Sequence, residues 1–233
     1  MARFTFYLLR ACARGGIRTH TESPPGGFKP PASANSATRA GGGNASGVPS
    51  ALMSQQIIDR VTFLVGEFDK RVQAAPANSW GNASPCEGWT ARDVVVHVGN
   101  NLKGITASLT GSERSQIEAD DDIVAAWNAT LSAFNAVLTT ADLSASINGP
   151  FGPMPAADLL GRLVANDVLV HTWDLARAVG GDERLDEEMV RGAYSGMKPM
   201  DEMIRRPGVF GPKITVDGAD VQTEFLSFLG RTV

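Results

Sequence analysis

The stretch N-D-V-L-V-H-T-W-D-L-A-R-A-V-G, Asn166–Gly180, sets three ionisable groups into an apolar run at helical spacing. As a helix it places Asp167 and His171 four residues apart and Asp174 three further on, so all three project from one face at successive turns. Followed in both directions, the same stripe runs Leu160, Val164, Asp167, His171, Asp174, Ala178, apolar at its ends and ionisable in its middle. Such a stripe faces the interior of a bundle. A carboxylate and an imidazole buried there need partners, because an unpaired charge in a core costs several kcal/mol or titrates away. A divalent metal is the simplest partner.

One helix supplies too few ligands, so the other imidazoles matter. The chain holds three histidines, His20, His97 and His171. His20 lies in an N-terminal segment set apart below, which leaves His97, in D-V-V-V-H-V-G-N-N, to join the pair. The expected metal ligands are therefore His97, Asp167 and His171. Two nitrogens and one carboxylate oxygen suit Zn²⁺, and Fe²⁺, Mn²⁺ or Ni²⁺ accept the same donors. Three protein ligands leave one position open to water or substrate. Asp174 and Asp93 are expected to orient an imidazole or, for Asp93, to cap a helix rather than to ligate. Trp127, Trp173 and Leu160 read as core packing, Arg177 as a solvated or salt-bridged side chain, and Cys86 as a small buried thiol with a weak claim as ligand or redox group.

Charge divides the chain unevenly. Of its 21 Lys/Arg and 25 Asp/Glu, six basic residues (Arg3, Arg10, Arg14, Arg18, Lys29, Arg39) and Glu22 alone lie in residues 1–52, net +5. Residues 53–233 keep 15 basic and 24 acidic groups, net −9. The first segment is rich in Gly, Pro, Ser and Ala, has no apolar period and is expected to be disordered. Its apolar run Phe4–Leu9 is too short for a signal peptide or a membrane span, although an Arg-rich, acid-poor start is similar to an organelle transit peptide. The other reading is a mis-assigned start. G-G-I-R-T-H-T-E-S-P-P-G-G-F-K-P-P-A-S-A resembles a translated transfer-RNA gene, and Met53 stands just before a helix.

Residues 53–233 are expected to form a single domain, large enough for a full core. Cys86 is its one cysteine, so no internal disulfide forms there, which fits a reducing cytoplasm. The acidic balance argues against nucleic acid or an anionic membrane as the main partner, and no apolar 18-mer is present.

Helical period dominates this domain. Ile57, Val61, Leu64, Phe68 and Val72 mark a first helix over about 54–74. Thr90-Ala-Arg-Asp93 reads as a capping box that opens the helix carrying His97. Ile123, Trp127, Leu131, Phe134 and Leu138 give a third helix behind Asp120-Asp121-Asp122, and 156–179 a fourth, closed by Gly180-Gly181. Asn148–Pro153 reads as a loop, 186–200 and 219–229 as further helices, and Lys213–Val216 as the one strand-like alternation. Four main helices with these links make an all-α bundle, an architecture that builds metal sites from inward side chains of facing helices.

The motifs C-E-G-W-T-A-R-D-V-V-V-H and N-D-V-L-V-H-T-W-D-L-A-R-A-V-G, with R-R-P-G-V-F-G-P and F-L-G-R after them, resemble the actinobacterial metal-binding proteins of the DinB-like superfamily. Within it they are similar to the group related to the metal-binding domain of mycothiol-dependent maleylpyruvate isomerase. The resemblance covers residues 53–233. It implies a DinB-like four-helix bundle with extra C-terminal helices, and metal ligands at His97, Asp167 and His171. Against it stands one departure: the isomerase has a glutamate where this chain has Asp167, and a C-terminal domain larger than the residues after Gly180. Metal binding therefore transfers better than the isomerase reaction.

An open-position metal can hold a thiol as thiolate near neutral pH. The resemblance makes mycothiol that thiol, giving a metal-dependent S-transferase or isomerase acting on a low-molecular-weight thiol and an electrophilic substrate. A metal-binding bundle without catalysis, acting as buffer or sensor, and a hydrolase using metal-bound water are the alternatives.

Overall fold

The computed structural model describes residues 50–149, 152–205, 210–216 and 218–233. The expected disorder of residues 1–52 and the transit-peptide and start-site readings fall on a segment of which 1–49 lie outside the described residues. Helix α1 runs Ser50–Ala74, so it starts ahead of Met53. Helices α2 (Ala91–Thr110) and α3 (Ile123–Leu138) follow. Strands β1 (Ser146–Gly149) and β2 (Gly152–Pro155) come next. The fourth bundle helix is made of α4 (Ala156–Asp158), a π-turn over Leu159–Val164, and α5 (Ala165–Val179). Helices α6 (Glu187–Met197), α7 (Asp201–Ile204) and α8 (Val221–Phe228) complete the described chain. Among the described residues, no helix is long and apolar enough to cross a membrane.

The four long helices close a ring: α1 packs on α5 and α3, and α2 packs on α3 and α5. This is the all-α, DinB-like bundle the sequence implies. Phe68, Trp127, Phe134, Leu64, Leu102 and Leu160 fill its centre, each almost wholly removed from water. The Trp127 indole N–H, which burial would otherwise strand, donates to Asp69 Oδ1 at 2.8 Å. At the far end α6 and α8 pack together, with Tyr194 between Phe225 and Phe228 at ring separations of 6.0 and 5.4 Å.

Two local readings need correction. Lys213–Val216 forms no strand; Ile214 instead donates its N–H to Ser227 O at 2.8 Å. The hairpin forms where the sequence reads as a loop, with Ile147 opposite Met154 and Asn148 opposite Pro153. A two-stranded ladder is all edge, so its prolines remove no interior hydrogen bond. The 156–179 helix is also not uniform. Its first turns open into the π-turn, where Gly161 faces Ile57 of α1.

Candidate metal centre

Helix α5 is buried along its whole length except at Asn166 and Arg177. Asp167, His171 and Asp174 are 1%, 1% and 0% exposed, so the ionisable stripe does face inward. Gly180, at φ 71, closes the helix in the left-handed conformation that favours glycine. Arg177 points the other way, pairs with Glu183 at 2.7 Å and lies over the Trp173 ring.

Helix α2 supplies the facing side chains. Its start is a capping box: Thr90 Oγ1 accepts from the Asp93 N–H, and Asp93 Oδ2 accepts from the Thr90 N–H at 2.8 Å. One turn later His97 enters the core, and Asn101 follows on the same face. His97 Nε2 lies 3.3 Å from Asp167 Oδ1, and His171 Nε2 lies 3.5 Å from that same oxygen. Asn101 Nδ2 donates to Asp167 Oδ2 at 3.1 Å and approaches His97 Nε2 at 3.2 Å. The structure thus brings all three expected ligands to one point.

A divalent cation fits this group on two observations. His171 Nε2 is buried and makes no hydrogen bond, its nearest acceptor being Asp167 Oδ1 in a long ion-pair contact of 3.5 Å. The two nitrogen–oxygen separations are long for hydrogen bonds, yet donors about 2.1 Å from a tetrahedral ion lie about 3.4 Å apart. The separations of 3.3 and 3.5 Å bracket that edge length.

Electrostatics bind the cluster together. Burial works against the charge on Asp167, but the imidazoles of His97 and His171 more than offset it, and the carboxyl stays well below the ordinary range. Burial likewise disfavours an imidazolium at His171, and Asp167 and Asp174 overcome it, raising its pKa to about 9. Asp174 is held ionised, against burial, first by Arg231 and then by His171.

Cys86, His171 and Asp174 also bring donor atoms within 4.8 Å of one another. That side already holds a cation. Arg231 Nη2 lies 2.9 Å from Asp174 Oδ2 and 3.9 Å from Cys86 Sγ, and the Cys86 thiol donates to the same Oδ2 at 3.4 Å. The set facing His97 is therefore the better cation site.

Three neighbours escaped the sequence reading. Asn101 was legible, being four residues after His97 on one helical face. Trp89 covers the site from the loop before α2, its ring 5.0 Å from that of His97 and 5.9 Å from that of His171. Trp89 and Arg231 lie in the quoted C-E-G-W and F-L-G-R motifs, but no local spacing ties either to the histidines, because both reach the site only through the fold.

The chain is similar to several known proteins. Residues 64–176 match the model of the mycothiol maleylpyruvate isomerase N-terminal domain family. Two Mycobacterium tuberculosis relatives, the uncharacterized proteins MT0763 (strain CDC 1551 / Oshkosh) and Rv0738 (strain ATCC 25618 / H37Rv), are each 29% identical over 175 residues, covering 67% of this chain and 87% of theirs. Among solved structures, the mycothiol-dependent maleylpyruvate isomerase aligns with TM-score 0.49 and 15% identity over 59% of this chain and 66% of its own. A mutant of that isomerase aligns with TM-score 0.47 and 13% identity over the same shares. The matched segment runs from the middle of α1 into α5 and contains His97, Asp167, His171 and Asp174. Residues 64–176 are thus similar to the mycothiol maleylpyruvate isomerase N-terminal domain family, and they fold here as an all-α bundle.

Proposed function

We propose that this protein holds one divalent cation, zinc in first place, through His97, Asp167 and His171, and uses it on a small thiol, with mycothiol the leading candidate. The observation that carries the reading is the convergence of buried His171 Nε2, which makes no hydrogen bond, and His97 Nε2 on one Asp167 oxygen at 3.5 and 3.3 Å. A bound divalent cation supplies a Lewis acid that holds an entering thiol as thiolate near neutral pH. The chain's own residues do the rest. Asp174 fixes the His171 ring through Nδ1, Asn101 orients the Asp167 carboxylate, and Trp89 excludes water from the two imidazoles. A thiolate held there would add to an activated C=C bond, the π pair moving onto the neighbouring carbon as an enolate; rotation and expulsion of the thiolate would give isomerisation, and protonation of that carbon by the proton the thiol gave up would retain the C–S bond as a thiol adduct. The match of residues 64–176 to the isomerase N-terminal domain family favours isomerisation of a maleylpyruvate-like unsaturated acid.

A second reading, a cation site without catalysis, is favoured by the Trp89 cover and by the 8% and 1% exposure of His97 and His171. Metal analysis of the purified protein, followed by a screen of electrophiles with and without mycothiol, separates the two. Metal at about one per chain with thiol-dependent turnover supports the enzyme. Metal without turnover supports the closed site, and turnover without thiol supports a hydrolase. A protein that takes up no zinc, iron, manganese or nickel sinks the cation reading altogether.

A further inference from the structure

The F-L-G-R ending, Phe228–Arg231, reaches the site from outside residues 64–176. After α8 the chain turns at Gly230, whose φ of 83 and whose Cβ position, 2.9 Å from Pro212 O, leave no room for a side chain. The turn is pinned by the Gly230 N–H to Ser227 O and the Arg231 N–H to Leu226 O, both at 2.9 Å. It sends Arg231 into the core, where 3% of the residue stays exposed. Its Nη2 donates to Asp174 Oδ2 at 2.9 Å and its Nε reaches Oδ1 at 3.3 Å, so the guanidinium spans both carboxylate oxygens. Asp174 Oδ2 in turn lies 2.9 Å from His171 Nδ1.

Resting on the cation reading above, we infer that Arg231 is a positioning residue for the cation site, acting through Asp174 on His171. A carboxylate with no exposure to water keeps its charge and its rotamer only while it is paired. The planar fork fixes the plane of the carboxylate as well as its charge, which a lysine cannot do. The fixed carboxylate holds the Nδ1 edge of the imidazole and leaves Nε2 directed at Asp167 and His97. The C-terminal segment, 57 residues beyond Asp174, is by this route a structural part of the site.

Zinc and cobalt affinity of the full chain, measured by competition with a chromophoric chelator, tests this. Arg231→Met weakens binding about 10–100-fold and Arg231→Lys less, each with an altered cobalt d–d spectrum, as expected when an outer partner of a ligand is lost. Leu138→Ala, at a residue 2% exposed on α3, which supplies no donor to the site, lowers the melting temperature and leaves affinity and spectrum unchanged. In an Asp174→Asn background Arg231→Lys has no further effect, because the influence runs through that carboxylate. Should Arg231→Met fail to fold, the Lys variant and the Asp174→Asn cycle decide alone. Equal affinity and spectrum for wild type and Arg231→Lys, or losses that multiply in the double variant, overturn the inference and leave the cation reading intact. A wild-type chain that takes up neither metal overturns both.

Discussion

His171 donates from Nδ1 to Asp174 Oδ2 across 2.9 Å, and that bond determines which edge of the imidazole faces His97. The ring has two nitrogens, and a carboxylate on one leaves the other for a cation. On the proposed cation reading Asp174 orients the ring, and Asp167, 3.5 Å from the opposite nitrogen, is the ligand. Both lie on one helix, three and four residues either side of the histidine.

His171→Ala is expected to lose most bound metal, since it removes a donor outright. Asp174→Ala retains the three donors and weakens binding about 10–100-fold. Metal content and a zinc competition titration measure both. Equal losses for the two variants would show that Asp174 is itself a ligand.

Metal uptake is expected to release a proton. In the metal-free protein the pKa of His171 is raised from 6.5 to about 9, so the ring is an imidazolium at neutral pH, whereas a ligating imidazole is neutral. The apparent affinity then falls as pH drops below about 9, by about tenfold per pH unit for one proton displaced. Stability runs the other way. A raised folded-state pKa stabilises fully below the unfolded value of 6.5 and the gain is lost as pH rises through about 9, so the chelator-treated protein melts lower at pH 9 than at pH 6.5. Titration calorimetry in buffers of different ionisation enthalpy counts the proton, and a count of zero refutes the protonation state.

Thr90→Ala is expected to cost about 1 kcal/mol, because it removes the side-chain acceptor for the Asp93 N–H at the start of α2. Urea unfolding measures it. A loss of only a few tenths would mean that the packing of Ala91 and Val94, not the cap, sets where the His97 helix begins.

A chain starting at Met53 is expected to fold and to bind metal as the full chain does. Leu52 and Met53 are about half exposed, and among the described residues the truncation removes only the start of α1, 50–52. Loss of more than a few degrees in melting temperature, or of metal affinity, would place residues 1–52 in the folded unit.

The periodic part of this protein was open to reading from the chain alone. Asp167, His171 and Asp174 share a face because the 3.6-residue repeat puts them there, Thr90 and Asp93 cap because their spacing matches the first turn, and Ile123–Leu138 begins behind Asp122, whose side chain accepts from the Ala125 N–H. These are local relations, and local geometry travels with sequence. The hairpin of Ile147 and Met154 did not show, because pairing of two short Pro- and Gly-containing segments depends on what they pack against. The same holds at the site. That His97 should meet Asp167 needed α2 to face α5; that Trp89 should cover both rings, and that Arg231 should close on Asp174, needed a loop and a chain end to arrive from far along the sequence. Helical repeat is written in neighbouring residues, whereas contacts between distant residues are set by how the buried faces of four helices find one another, and only the packed bundle decides that.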